Sequence, residues 1–202
     1  QDYQINTHVV DTPQALAELA ADLAAAPIIS LDTETTSTDP MRAELVGISL
    51  AVRAGQGYYI PVGHHGSDPQ LPIEQVIAVL RLALTDPNKG KIGHNLKYDT
   101  LVLMQHGLDV TPLIFDTMIA EWLVDPGSHR LGLKDMAEDY LAASMTHIET
   151  LIGKGKAQLS MADVPVTSVA PYAAADAEVI LRLKPLLEKR MADVNAIRLF
   201  NE

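Results

Sequence analysis

The chain has 202 residues, 48% of them hydrophobic and only 4% aromatic, the balance of a soluble α/β or α+β domain with a substantial aliphatic core. It lacks cysteine, an apolar run of membrane-spanning length and a basic-then-apolar N-terminal segment. We therefore expect no disulfide, no thiolate metal site, no membrane span and no signal peptide. The net charge of −11 argues against tight, non-specific coating of duplex DNA, although the basic residues between positions 89 and 156 can form a local positive rim.

The first half of the sequence predicts two helices and a three-stranded antiparallel meander. Thr12-Pro13 supplies an N-cap and a first-turn proline, which predicts a helix from residue 13. Turn signals at Asp39-Pro40 and around Gly55 separate the apolar runs of the meander. The predicted elements are an edge strand over 7–10, a helix over 13–25, strands over 28–33, 44–52 and 57–62, and a helix over 72–84.

The second half alternates helices with short strands, which predicts a mixed sheet flanked by helices, an α/β architecture. Asn95 and Asp116 are predicted to cap the helices that follow two of these strands, and Phe115 and Trp122 are predicted to lie in the core. The predicted elements are strands over 91–93 and 113–115, a helix from 96 to the stop at 106–107, and helices over 117–123, 132–141, 146–152 and 168–191. Since no repeat or linker divides the chain, we expect one domain over residues 1–202.

Four acidic residues lie in three short segments whose spacing directs carboxylates to common faces. Asp32 and Glu34 follow an apolar strand, where residues two apart share a face. Tyr172 and Asp176 are four apart in a helix and share a helix face, while Asp99 lies in the first turns of another helix. Two charges about 5 Å apart repel by roughly 3 kcal/mol at an effective dielectric of about 20, a cost that bound divalent cations remove. An all-oxygen ligand set favours hard cations such as Mg²⁺.

These segments read Asp32-x-Glu34, Asn95-x-x-x-Asp99 and Tyr172-x-x-x-Asp176. The pattern resembles the three motifs of the DEDD superfamily of 3′–5′ exonucleases, in its tyrosine-containing branch. With its flanking segments it is similar to the proofreading domain of bacterial family A DNA polymerases, of the DNA polymerase I type. The flanking segments that carry the resemblance are 45–49, 59–62, 93–99, 115–118 and 153–156. The resemblance covers roughly residues 8 to 190, and the segment 191–202 is similar to the start of the junction into a polymerase domain.

The resemblance implies a ribonuclease H-like fold and two divalent cations, Mg²⁺ with Mn²⁺ or Zn²⁺ as substitutes. It implies that Asp32 bridges both metals and that Glu34 and Asp176 complete the metal on the nucleophile side. Asp99 would hold the second metal, in part through water, and Tyr172 would hydrogen-bond the attacking water. The implied activity is removal of nucleotides from the 3′ end of single-stranded or frayed DNA, with release of nucleoside 5′-monophosphates.

Substrate contacts are expected from a further set of residues: Thr33, Thr38, Asn95, Arg130, Ile148 and Lys154. Thr38 and Ile148 stand where family members often have an apolar wedge and an aromatic side chain. Since stacking of a base on an aromatic side chain contributes roughly 1–3 kcal/mol, we expect weaker grip on the 3′ end. His64-His65 resembles a metal pair, but adjacent strand residues point to opposite faces, so a loop role is expected.

Two other functions use the same residues or the same fold. An RNA-processing exonuclease resembling ribonuclease D has identical metal ligands, and the junction-like C-terminus favours DNA over it. A binding or spacer domain with decayed catalysis is the other, and the complete set of four carboxylates and Tyr172 speaks against it. The resemblance further implies a monomer covalently joined to a polymerase domain, without membrane partners, in the bacterial cytoplasm and associated with the nucleoid.

Overall fold

The computed structural model describes residues 3–202, and its secondary structure follows the predicted order closely. The six strands are β1 (Asn6–Val9), β2 (Ile28–Thr35), β3 (Leu45–Arg53), β4 (Gln56–Pro61), β5 (Gly90–Gly93) and β6 (Leu113–Asp116). The α-helices are α1 (Pro13–Ala25), α2 (Ile73–Leu84), α3 (Leu96–Gln105), α4 (Thr117–Val124), α5 (Leu133–Leu141), α6 (Glu149–Ile152), α7 (Val166–Asp193) and α8 (Ile197–Asn201).

The strands form one mixed sheet in the order β1-β4-β3-β2-β5-β6. The predicted meander is confirmed, because β2 pairs antiparallel with β3 and β3 with β4. The tight β3–β4 turn uses Gly55, whose φ of +82° favours a residue without a side chain. The strand pairs β1–β4, β2–β5 and β5–β6 are parallel. β2 therefore lies inside the sheet, between an antiparallel and a parallel neighbour.

Helix α7 packs across β2, β3 and β4 and holds the sheet and the site together. Its central turns carry the small residues Ala173 and Ala174, which are fully buried and let the helix approach the sheet closely. A Cβ added at Gly57 on β4 would lie 2.5 Å from the carbonyl oxygen of Ala174, so this contact requires glycine. The close approach brings the polar face of α7 against the end of β2.

Aliphatic side chains fill both sides of the sheet, as the composition predicts. One core cluster joins the sheet to α1, α2 and α3, and another joins it to α4, α5 and α7. Within residues 3–202, none of the helices combines the length and apolar character needed to cross a membrane.

Two predictions about packing and length are wrong. Phe115 is buried as predicted, but Trp122 is 51% exposed on the outer face of α4 and is not a core residue. The predicted helix over 146–152 is reduced to the single turn α6, while α7 extends two residues beyond the predicted range at each end. The short turn ends at Gly153, whose φ of +77° breaks the helical path.

Candidate active site

β2 positions the first pair of acids. Asp32 and Glu34 are two residues apart on β2 and pair with Ser49 and Gly47 of β3; the register with β3 shifts only after Glu34. The alternation of the strand puts both carboxylates on one face, as the sequence predicts. Glu34 is buried and Asp32 is half-buried.

α7 brings the third carboxylate to this pair. One carboxylate oxygen from each of Asp32, Glu34 and Asp176 lies within 4.8 Å of the other two. Asp176 is only 6% exposed, because the helix presses its polar face onto the strand. The predicted convergence of residues far apart in sequence is confirmed for these three acids.

Asp99 adjoins this cluster without joining it. Its carboxylate accepts hydrogen bonds from the backbone N–H of Thr33, at 2.9 Å, and from the Thr33 hydroxyl, at 2.6 Å. Asp99 is 3% exposed and lies close enough to Asp32 for their charges to repel. Thr33, expected to contact substrate, thus uses both of its donors to fix Asp99 beside the cluster.

The helix that carries Asp99 is capped differently from the prediction. Asn95 occupies the N-cap position with a left-handed backbone, φ 58°, and its side chain makes no cap hydrogen bond. The Asp116 carboxylate instead accepts from the backbone N–H groups of Asn95 and Leu96, at 3.1 and 2.8 Å. It also accepts from Met118 at the start of α4, at 2.9 Å, as predicted. One carboxylate therefore fixes the starts of two helices. Asn95 instead lines an open cleft next to the acidic cluster.

Lys134 is the residue of the site that the sequence patterns missed. Its ammonium donates to Asp176 Oδ1 and lies 4.3 Å from the ring centroid of Tyr172. The side chain is only 16% exposed. A signal was present in the sequence, because Lys134 falls in the first turn of a predicted helix, where the helix dipole disfavours a cation.

Burial dominates the electrostatics of the site. It raises the pKa of Asp32 to about 6, against the opposing effect of the Lys134 ammonium. Burial, reinforced by repulsion from Asp32, also raises the pKa of Glu34 and of Asp99 well above the ordinary range. Burial lowers the pKa of Lys134 to about 8, although the neighbouring carboxylates favour its charged form. The pKa of Tyr172 is raised by burial, so its hydroxyl remains protonated at neutral pH.

The donor set fits a hard divalent cation. All of the clustered ligand atoms are carboxylate oxygens, the ligand type that Mg²⁺ and Mn²⁺ accept. Deprotonating these acids is costly because burial removes their carboxylates from water and because their charges repel, and a bound cation offsets both costs. The site can therefore hold divalent metal, which accounts chemically for the cluster.

An open cleft of about 750 Å³ gives access to the cluster, a volume in the usual range of ligand sites. The residues that line it include Asp32, Glu34, Asp176 and Tyr172. Among the expected substrate contacts, those that line the cleft are Thr33, Thr38, Asn95 and Ile148. Ile148 is 39% exposed and presents an aliphatic surface to the cleft.

Two expected contacts do not line the cleft. Arg130 is turned toward α5, where its guanidinium binds Glu138 and Asp139 at 2.8 Å each. The acids of α5 therefore hold the side chain that was expected to contact substrate. Lys154 lies on an exposed loop beside His147 and lines a separate surface hollow.

The adjacent histidines lie in the loop that follows β4, as the sequence predicts. His64 is buried, with Nδ1 donating to the carbonyl of Val164 at 2.9 Å and Nε2 bonded to the Tyr59 hydroxyl at 2.7 Å. His65 points away and contacts Asp163. The two rings therefore do not form a common metal site.

Comparison with known proteins gives a consistent picture. A family model described as 3′–5′ exonuclease matches residues 7–192. DNA polymerase I of Chloroflexus aurantiacus is 44% identical over 185 residues, which are 91% of this chain and 19% of that protein. The chain thus spans about one fifth of the length of the curated relatives it matches.

Solved structures share the fold. The apo form of a nuclease has 28% identity and a TM-score of 0.73, over 98% of this chain and 86% of that one. Ribonuclease D of Escherichia coli has 22% identity and a TM-score of 0.72, over 97% of this chain and 48% of that one. At the latter identity the likeness concerns the fold alone. The predicted ribonuclease H-like α/β architecture is confirmed.

Proposed function

The chain belongs to the 3′–5′ exonuclease family, and on this premise we propose that it removes nucleotides one at a time from the 3′ end of single-stranded or frayed DNA. The observation that carries the proposal is the convergence of Asp32, Glu34 and Asp176, which line an open cleft together with Tyr172. Water is the second reactant, and the products are a nucleoside 5′-monophosphate and a strand shortened by one nucleotide.

The four acids would together hold two divalent cations, Mg²⁺ or Mn²⁺. Asp32 shares the cluster with Glu34 and Asp176 and lies close enough to Asp99 for their charges to repel, so it is the residue suited to contact both ions. When bound, the two ions supply positive charge that lowers the pKa of the attacking water and stabilises the incoming and leaving oxygens. Thr33 keeps Asp99 in place by donating two hydrogen bonds.

Tyr172 positions the attacking water. Because burial raises its pKa, the hydroxyl remains a hydrogen-bond donor and acceptor at neutral pH. It lies one helical turn before Asp176, on the same face of α7, and both side chains line the cleft. The neutral hydroxyl can therefore orient a water molecule near the reacting phosphate, and it adds no negative charge that would repel the phosphate.

The walls of the cleft receive the terminal nucleotide. Thr38 and Asn95 offer polar groups, and Ile148 offers an aliphatic surface for a base. Without an aromatic side chain at Ile148, we expect the contribution of stacking, roughly 1–3 kcal/mol per base, to be largely missing. Arg130 and Lys154 do not line the cleft, so both side chains would have to move from their present positions to contact more distant phosphates of the strand.

The similarity to DNA polymerase I supports DNA as substrate and proofreading as the role. In that context the chain acts as a single domain over 1–202, with its core at about 8–190 and a junction at 191–202 leading to a covalently attached polymerase domain. We further propose that it works as a monomer in the bacterial cytoplasm, at the nucleoid.

The direct test is hydrolysis of a 5′-labelled single-stranded oligodeoxynucleotide with Mg²⁺ or Mn²⁺. A ladder of products shortened from the 3′ end is expected, and it should vanish with a chelator. Asp176→Asn should slow the reaction more than about 100-fold, since even residues that only support metal ligands contribute about 10–100-fold. Asp109→Asn removes the same charge from an exposed loop and should leave the rate unchanged.

Matched oligoribonucleotides separate the two substrate classes. Faster shortening of the RNA would replace the DNA assignment by a ribonuclease D-like one. Full-length oligonucleotide under all conditions, together with no heat of Mn²⁺ binding in calorimetry, would indicate a domain without catalysis.

A further inference from the structure

The carboxylate cluster already contains a cation of the protein's own. The Lys134 ammonium donates to Asp176 Oδ1, and its charge acts on Asp32 and Glu34 as well. With 16% exposure for the Lys134 side chain and 8% for that of Asp176, water contributes little to this contact. The pair is therefore a buried ion pair inside the proposed metal site, rather than a surface salt bridge.

A carboxylate oxygen that accepts from an ammonium is less available to a metal ion. Asp176 is one of the three acids whose oxygens lie within 4.8 Å of each other, so Lys134 and a divalent cation require the same small volume. Two cations at such separation repel strongly, because screening is weak where water is excluded. Binding of metal and the present position of Lys134 thus oppose one another.

The structure provides a place for the displaced ammonium. A hollow of about 480 Å³ on another side of the cluster shares Asp176 and Tyr172 with the cleft, and it is also lined by Lys134 and by the hydroxyl-bearing residues Thr146 and Thr150. The flexible four-carbon stem of lysine allows its head to move into this hollow without a change in the backbone of α5. Hydroxyl oxygens there can accept hydrogen bonds from the ammonium.

We propose that Lys134 is an internal counter-cation that competes with divalent metal for Asp176 and thereby sets the metal affinity of the site. This inference rests on the proposed function, because it requires that the cluster bind metal. Lys134 is a positioning residue: its ammonium neutralises part of the negative charge of the cluster and holds Asp176 in place when no metal is bound.

Calorimetric titration of the full chain with Mn²⁺ tests the competition directly. Lys134→Met removes the charge and keeps the length of the side chain, and Lys134→Gln keeps a hydrogen-bond donor for Asp176. Both variants should bind Mn²⁺ with a Kd at least about tenfold lower than the wild type, since one repelling charge is removed. Lys134→Arg, which keeps the charge, should not tighten binding.

Lys189→Met is the matched control. It removes one positive charge from an exposed position of the same helix that carries Asp176, 13 residues and thus about 20 Å along the axis. Its Kd for Mn²⁺ should equal that of the wild type. Thermal unfolding adds a second readout: without metal the Lys134→Met variant should melt below the wild type, and Mn²⁺ should raise its melting temperature by more.

The outcomes separate the two proposals. If the wild type binds Mn²⁺ and both Lys134→Met and Lys134→Gln bind it equally or more weakly, the competition is refuted and the nuclease proposal stands. If neither the wild type nor any Lys134 variant binds Mn²⁺ or shortens DNA, both proposals are refuted. Tighter binding by the Met and Gln variants, with unchanged binding by Lys189→Met, establishes the competition.

Discussion

Replacing Asp32 by Asn should make the metal-free protein more stable while abolishing its activity. Asp32 lies on β2 next to the other acids of the site, and burial raises its pKa from 3.8 to about 6. A carboxyl group whose folded-state pKa is raised favours the folded state when protonated and disfavours it when ionised. Above pH 6 the ionised group therefore lowers the free energy of unfolding, and Asn, neutral and of similar shape, does not.

The magnitude follows from proton linkage. Each tenfold change in proton affinity corresponds to about 1.4 kcal/mol, so the rise of the Asp32 pKa from 3.8 to about 6 corresponds to about 3 kcal/mol of unfolding free energy at neutral pH. The penalty is absent below 3.8, grows as the pH rises, and is complete above about 6. Asp32→Asn should thus gain as much as about 3 kcal/mol over the wild type near pH 7, and progressively less toward acid.

Urea unfolding followed by circular dichroism, with a chelator present, measures this difference at several pH values. Asp109→Asn removes an exposed carboxylate and should change the unfolding free energy by less than about 0.5 kcal/mol at any pH. A lower stability of Asp32→Asn at neutral pH, or a gain that does not shrink on acidification, would refute the reasoning. The first result would mean that the ionised group is satisfied in the folded state.

Three further substitutions test the supports of the site. Thr33→Val removes the hydroxyl donor of Asp99, so activity at saturating Mg²⁺ should fall about tenfold and its pH profile should move to higher pH; an unmoved profile would contradict this. Asp116→Ala removes the cap of two helices and should lower the free energy of unfolding, measured with urea, by about 2 kcal/mol; a loss below about 0.5 kcal/mol would be inconsistent with capping. Gly57→Ala places a Cβ 2.5 Å from the carbonyl oxygen of Ala174. The free energy of unfolding should therefore fall by roughly 1–3 kcal/mol, and activity should fall with it. An unchanged melting temperature would argue against close packing of α7 on β4.

Local sequence patterns predicted most of the helices and strands, because the start and end of each element depend on a few neighbouring residues. Thr12 accepts from Ala15 at 3.2 Å and fixes the start of α1 at the predicted residue. The turn at Gly55 similarly fixes the β3–β4 hairpin. The position of β2 between β3 and β5 depends on parallel pairing between segments about 60 residues apart, which no local pattern encodes. The exposure of Trp122 depends on what packs over α4, and an aromatic residue in an apolar helix carries no sign of that.

In the site, too, local patterns were predictable and long-range contacts were not. Strand alternation placed Asp32 and Glu34 together, and helical spacing placed Tyr172 and Asp176 on one face. The partners of these residues were not predictable, since Lys134 reaches Asp176 across 42 positions of sequence through a long, flexible side chain. Periodicity specifies where a Cβ points, and a lysine head group lies several bonds beyond it.

The exceptions to the rules of stable folding coincide in space. Buried acids lie beside one another, Lys134 is in the first turn of a helix where the dipole disfavours it, and Asn95 has a left-handed backbone. Each feature costs stability by itself. Asn95 and three of the acids line the cleft, and Lys134 lines the hollow that shares Tyr172 and Asp176 with the cleft. A protein selected only for stability would disperse or replace such groups, because neutral residues of the same volume fold more readily. Their concentration at the end of β2 is therefore typical of a functional site, and the stabilisation expected for Asp32→Asn is its measurable consequence.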